Sequence, residues 1–587
     1  MTVPSQGLRP PADFPPTTRE RWRELALGVL RKSGIEAASP EEALASTTYD
    51  GVTVAPLYDA SDLPGDPGLP GAAPYVRGAR PEGGGWDVRQ RHEVADPEAV
   101  LADLENGVTS LWLALEPEDL PRVLDRVYLE LISVTLDAGP RTREAAEALF
   151  AVAEAKEAAE RGTGRLAGNL GADPLRDVET AVELAGRCVA GFPGLRAIVV
   201  DGTPYHDAGG SDAEELGCSV AAGVAALRTL TGAGLTAEEA FGQLEFRYAA
   251  TADQFLTVAK LRAARRLWAR VAEVCGAGAG AGQRQHAVTG SAMMTARDPW
   301  VNMLRTTLAC FAAGVGGADA VTVQPFDACL GLPDAFARRI ARNTHSLLVE
   351  EAGVARVIDP AGGSWYVERL TEDLAGAAWE WFQEIERAGG MAAALESGLV
   401  EARLAATWRR RADNIAHRRD PITGVSEFPN LTERLPVRAP RPVRATGVRY
   451  AQDFEELRDL ADAQEVRPAV FLAVIGPPSA HTARASFAAN LFQAGGIATL
   501  TSGATVDPAL IAAAFNAGGA RVACLCSSDR LYGEHAEAVA AALRAAGARR
   551  IWLAGKGRYA GVDANLYAGC DALGVLRTTF DDLEVTG

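Results

Sequence analysis

The chain has 587 residues, 48% of them apolar and 23% charged, which suits a soluble globular protein of two or three domains. Its formal charge of −18 argues against general nucleic-acid or anionic-membrane binding, because both need a cationic face. No apolar run approaches the roughly 20 residues of a membrane span, and the opening MTVPSQGLRPPADFPP lacks the basic-then-apolar order of an export signal, so a cytoplasmic protein is expected.

Residues 1–48 combine a Pro-rich arm with one amphipathic helix, about Thr17 to Lys32. A polar arm broken by prolines cannot bury itself alone and is a candidate to wrap a partner. The Gly/Pro-rich stretch from Asp59 to Gly85 is too long for a simple connection, and such loops tend to be functional or interfacial. From about Val108 to Val400, short apolar runs alternate with helical segments. Strands are read at Ser110–Leu115, Leu166–Leu170, Ala197–Asp201 and Ala320–Gln324. Helices are read at Glu179–Phe192, Asp212–Thr231 and Ala252–Cys275. This alternation predicts an α/β fold, a (β/α)8 TIM barrel over 49–429, with a doubly wound sheet as the other arrangement.

A Pro/Arg-rich linker from about Asn430 to Val448, within a connecting span 430–465, breaks the pattern. The remainder, 466–587, reads as a second α/β unit. Strands fall at Val470–Ile475, Ile497–Thr501, Val522–Cys526 and Arg550–Ala554, with helices at Ala480–Ala494, Pro508–Asn516 and Glu534–Ala546. Short β/α repeats of this kind predict a flavodoxin-like, doubly wound sheet whose ligands bind beyond the carboxyl ends of the strands. The eight cysteines are scattered, and only Cys524 and Cys526 are close. Their CxC spacing fits a buried strand rather than a metal site, and reduced core thiols are expected.

Several long blocks, in order, carry a family resemblance. Between Phe336 and Met391 stand ARRIARNTHSLLVEEAG, VIDPAGGSWYVERLTEDLA and FQEIERAGGM. Upstream are APYVRG (Ala73–Gly78), WDVRQ (Trp86–Gln90) and AKLRAARRLWA (Ala259–Ala269). On these blocks nearly the whole chain resembles the adenosylcobalamin-dependent methylmalonyl-CoA mutase family. Read physically, Asp359–Ser364 is a turn whose glycines supply positive φ or close backbone approach, bordering a ligand or serving as a structural turn. Arg262, Arg265 and Arg266 have two readings: ligands for CoA phosphates, or ion pairs on a solvated outer helical face.

Departures from the family pattern fall on the chemistry. Active members resemble one another in a D-x-H-x-x-G loop after the first strand of the flavodoxin-like domain, whose histidine binds cobalt and whose aspartate fixes that imidazole. Here the strand is followed by GPPSAHTARASF. Gly476, Pro477 and Pro478 occupy the loop, and His481 has neither the aspartate nor the glycine; it reads as an exposed first-turn residue. A T-M-Y segment is replaced by ARPEGGG, with no tyrosine. The Y-H-x-x-E-A-G-A motif corresponds to Gly202–Gly210, placing Thr203 and Pro204 at the Tyr-His positions unless a two-residue deletion restores Tyr205 and His206. R-T-H-S-Q becomes Arg284-Gln285-His286-Ala287-Val288, losing the hydrogen-bonding glutamine.

The resemblance therefore implies a scaffold with no catalytic, cofactor-binding or metal residue of its own. It implies pairing with a homologous large subunit that carries adenosylcobalamin and interconverts (R)-methylmalonyl-CoA and succinyl-CoA in a heterodimer. Arg284, His286 and His206 are the candidates for vestigial acyl-CoA contacts, or else they satisfy polar groups at strand ends. Two alternatives stand beside this: an active isobutyryl-CoA-mutase-like subunit using cobalamin on another chain, and a stand-alone acyl-CoA-binding or regulatory protein.

Overall fold

The structure, a computed structural model, describes residues 17–158, 166–278, 281–441 and 447–585. The Pro-rich arm before residue 17 and positions 442–446 of the linker lie outside the described residues. Helix Arg19–Lys32 begins where the Thr18 hydroxyl accepts the Arg21 N–H, and it buries only Leu30. Leu25 and Val29 on the same helix are more than half exposed. A small antiparallel ladder follows, β1 (Ser46–Thr47) on β2 (Thr53–Val54).

Eight parallel strands then close into a barrel in chain order. They are β3 (Asp87–His92), β4 (Ser110–Leu113), β5 (Ser133–Leu136), β6 (Ala167–Ala172), β7 (Leu195–Asp201), β8 (Leu244–Ala250), β9 (Gln285–Thr289) and β10 (Ala320–Thr322), with β10 pairing back onto β3. This is the expected (β/α)8 barrel. Outside it, small residues let helices approach closely. A Cβ on Gly217 of helix Asp212–Gly232 would lie 2.5 Å from Trp381 of helix Trp365–Arg387, and one on Gly223 would lie 2.8 Å from both Phe246 and Trp268.

Two of the family blocks meet directly, since Trp86 Nε1 donates to His345 Nδ1 at 3.0 Å. The arginine-rich helix Gln254–Cys275 departs from the expected solvated face. Arg262 is fully buried between Asp359 and Glu368. Arg265 is buried too and donates to the carbonyls of Tyr75, Val76, Gly316 and Gly317 and to Gln285. A planar fork of five donors can satisfy so many acceptors at once, which is why an arginine tolerates this burial. Arg266, by contrast, makes a partly exposed ion pair with Glu372. The Asp359–Ser364 turn is structural here: Gly363 takes φ +82°, Asp359 holds Arg262 and Arg77, and Ser364 caps the next helix.

The second unit is a five-stranded parallel sheet of β11 (Ala469–Val474), β12 (Ala498–Thr501), β13 (Val522–Cys526), β14 (Arg550–Ala554) and β15 (Ala564–Leu566), ordered β12-β11-β13-β14-β15. That is the flavodoxin-like order. Strand alternation divides β11 between two cores: Val470, Leu472 and Val474 face one, while Phe471 and Ala473, with Ile475 just after the strand, face the other. Cys524 and Cys526 share the first face, with sulfurs 3.9 Å apart. Between the units, the span read as a connection also carries helix Gln452–Asp462, whose Phe454 and Leu457 join the second core. Its Glu455 accepts Ala296 N–H, and Asp459 and Asp462 pair with Arg297, tying the helix to the loop after β9.

Candidate functional site

Alternation along the barrel strands sets which side chains fill the axis. The register aligns Arg89 with Ser110, Arg91 with Trp112, Arg247 with His286, and Val288 with Thr322. Apart from Val288, these inward positions are polar, aromatic or charged, where a TIM-barrel interior ordinarily carries Val, Ile and Leu. Nothing about stability demands that choice, since buried ion networks are usually matched or bettered by apolar packing.

Arg89, 1% exposed, donates to Ser110 Oγ at 2.9 Å and pairs with Glu245. Arg284 reaches the same carboxylate at 3.3 Å and lies 3.6 Å from Asp87. Burial alone would raise the Glu245 carboxyl, but Arg89, Arg284 and Arg196 hold it down to about 2.

The next layer belongs to His286. Arg247 Nε donates to its Nδ1 at 3.3 Å, its Nε2 lies 2.8 Å from Thr322 Oγ1, and that hydroxyl donates on to the Arg89 carbonyl. Burial, together with Arg89 and Arg247, keeps the imidazole well below its ordinary range, so it is neutral and donates from Nε2. Above it stands Trp112, 4% exposed, with the Arg247 and Arg91 guanidiniums 4.2 and 4.5 Å from its ring centroid. Arg247 also donates to Asp201 at 2.8 Å. The axis is thus occupied from Arg284 to Trp112 by the chain's own side chains. At the mouth, Trp112, Val288, Thr322 and Arg441 line a cavity of about 110 Å³, while Arg247, Asp201, Asp173 and Arg143 line one of about 380 Å³.

The structure does not gather the candidate contacts. Arg284 is ion-paired at the amino end of the barrel, His286 is sealed inside it, and Val288 faces the small mouth cavity. His206 lies in the short helix Thr203–Asp207 after β7, 3% exposed, with no hydrogen-bond partner for Nε2 among the described residues. Burial and nearby Lys260 lower its pKa to about 3. It lines a different cavity, of about 660 Å³, while Thr203 faces the mouth.

At the edge of the second sheet, Gly476 takes φ +86° with its missing Cβ against Leu531, and the helix begins at once with Pro477 as N-cap and Pro478 at its first position. His481 occupies the first turn, as expected, but it is half-buried rather than exposed, with both ring nitrogens buried and unbonded. Arg484 closes over the same edge, donating to the Ser527 carbonyl and to Asp529 and lying 5.1 Å over Tyr532. These residues do not fit a cobalt ligand. Among the described residues no carboxylate orients the His481 imidazole, and both ring nitrogens are buried. Among the described residues no group of three or more His, Cys, Asp or Glu is placed to hold a metal ion.

Trp112, Arg89, Glu245 and Arg247 escape sequence reading, although WDVRQ lies on β3. The available signal was period-two charge, Asp87, Arg89 and Arg91, which marks one face of a strand.

Comparison with known proteins agrees with this architecture. The family model for methylmalonyl-CoA mutase matches residues 114–472. A methylmalonyl-CoA mutase small subunit of Streptomyces virginiae is 58% identical over an alignment of 618 positions covering 100% of both chains. That of Propionibacterium freudenreichii subsp. shermanii is 40% identical over 98% of this chain and 96% of its own. A methylmalonyl-CoA mutase of Cereibacter sphaeroides is 30% identical, over 70% of this chain and 64% of its own. With a polar-lined barrel, a flavodoxin-like domain and likeness along its whole length, the chain belongs to the methylmalonyl-CoA mutase family.

Proposed function

We propose that this chain is a non-catalytic subunit that supports a homologous large subunit, the two forming a cytoplasmic heterodimer that interconverts (R)-methylmalonyl-CoA and succinyl-CoA. Adenosylcobalamin, on this reading, supplies the radical chemistry from the large subunit, and acyl-CoA binds there too. The observation that carries the proposal is the filled barrel axis, where Arg89, Glu245, His286 and Trp112 occupy the interior. Supporting it are His206 and His286, which do not share a cavity, and His481, which has no orienting carboxylate among the described residues. The isobutyryl-CoA-mutase-like and acyl-CoA-binding alternatives both need an open path into the barrel.

The test is to titrate the isolated chain with methylmalonyl-CoA and succinyl-CoA by calorimetry and to mix it with the large subunit in sedimentation analysis. A one-to-one complex without acyl-CoA binding by the isolated chain supports the reading. Saturable acyl-CoA binding by the isolated chain contradicts it.

A further inference from the structure

The cavity of about 660 Å³ is separate from the barrel axis and lies beside its carboxyl-terminal rim, among residues that follow β7, β8 and β9 and beneath the β1–β2 ladder. Its size suits a small molecule. Leu256, Met293, Val301, Leu304, Leu308 and Tyr366 give it an extended apolar wall. Charged groups of both signs enter the same space: Arg411 acts on Asp212 at a distance, and Asp420 accepts the Tyr49 hydroxyl beside it, but among the described residues neither Arg411 nor Arg305 forms an ion pair with a lining carboxylate within 4.0 Å.

Asp50 and Asp253 line the cavity with no cation within 4.0 Å among the described residues. Asp50 accepts the Ala213 N–H, and Asp253 caps the helix by accepting Leu256 N–H. The neighbouring Asp212 is already committed to buried Lys260 at 2.8 Å. On the basic side, Arg411 lies 4.0 Å over Tyr49 and 5.0 Å over Tyr450, and Arg305 donates to Thr295, Asn302 and the Thr423 carbonyl. Among the described residues neither arginine has a carboxylate within 4.0 Å. His206 adds a buried imidazole whose Nε2 has no hydrogen-bond partner among the described residues. Partly buried charges lacking counter-ions are unfavourable unless a ligand supplies the complement.

We infer that this cavity is a binding site for a small zwitterion with an apolar body, of the amino-acid type. The ligand's ammonium meets Asp50 and Asp253, its carboxylate meets Arg411 or Arg305, and its body lies on the apolar wall. An acyl-CoA fits poorly, because its phosphates would face Asp50, Asp212 and Asp253. This site is independent of the subunit role proposed above.

Three probes with one common ring separate the charges: phenylalanine, phenethylamine and 3-phenylpropionate, each titrated calorimetrically into the full chain. The site predicts saturable binding of phenylalanine at millimolar concentration or below, with each singly charged analogue about tenfold or more weaker. The double variant Asp50→Asn/Asp253→Asn keeps both hydrogen-bond acceptors and the helix cap, so it should melt like the parent. It should weaken phenylalanine and phenethylamine by about tenfold, while 3-phenylpropionate, relieved of two repelling carboxylates, binds at least as well as to the parent. No saturable binding of phenylalanine, equal binding of all three probes, or unchanged phenylalanine affinity in the double variant would overturn the inference.

Discussion

Trp112 meets His286 edge-on in the barrel interior, with ring centroids 5.3 Å apart at 86°. The contact joins the mouth of the barrel to its middle layer, because Arg247 lies over the Trp112 ring and also donates to His286. Removing the indole therefore affects two layers at once. Trp112→Ala should lower stability by about 3–5 kcal/mol, the cost of a large cavity in a packed interior. Chemical denaturation reads the change, and a loss below about 1 kcal/mol would mean that the ring does not fill the axis.

Glu245 gives the axis a pH signature. Its folded pKa, about 2, lies below the ordinary carboxylate value, so the ionised form stabilises the fold above about pH 4.5. That contribution is lost as pH falls from there through about 2. Glu245→Gln should remove this part of the acid sensitivity. It should also destabilise the protein at neutral pH by about 3–5 kcal/mol, because Arg89 and Arg284 lose their shared carboxylate. Parallel pH-dependent melting curves for parent and variant would contradict the assignment.

Close helix packing makes Gly217 sensitive. A methyl there would lie 2.5 Å from Trp381 and 3.0 Å from the Ala378 carbonyl oxygen. Gly217→Ala should cost about 1–3 kcal/mol through overpacking, even though alanine is the better helix former. A variant that melts at or above the parent temperature would show that the two helices separate easily.

Thiol chemistry tests the burial pattern. All eight cysteines are free, and Cys275 is exposed while Cys329 is partly so. Burial pushes the Cys188 and Cys218 thiols up to about 12 and Cys329 to about 11. A thiolate-specific disulfide reagent at pH 8 should react rapidly with Cys275 and with the rest only on unfolding. Rapid modification of Cys524 or Cys526, located by peptide mapping, would contradict a closed second core.

Much of the fold was legible because apolar runs mark strands that are buried on both faces. Val522–Cys526 and Arg550–Ala554 were read with the bounds the structure gives. The barrel strands β3, β5, β8 and β9 are missing from the strands read in the sequence: β5 is only the four residues Ser133–Leu136, and Arg89, Glu245, Arg247 and His286 interrupt the apolar pattern of β3, β8 and β9. Those same residues fill the axis, so the feature that hid the strands also makes the barrel unusual. The buried fate of Arg262 and Arg265 was equally hard to read, since their partners Asp359, Tyr75 and Val76 come from distant loops. Placing His206 and His286 in separate spaces required the fold, because spacing along a chain does not say which barrel layer a residue enters.

The most direct test of the central claim is a spectroscopic titration of the purified chain with adenosylcobalamin, alone and with the large subunit, assaying turnover of methylmalonyl-CoA in the same samples. The account predicts no corrin spectral change and no turnover with the chain alone, and one cobalamin per heterodimer with activity once the large subunit is present. Stoichiometric cobalamin binding or turnover by the isolated chain would contradict it.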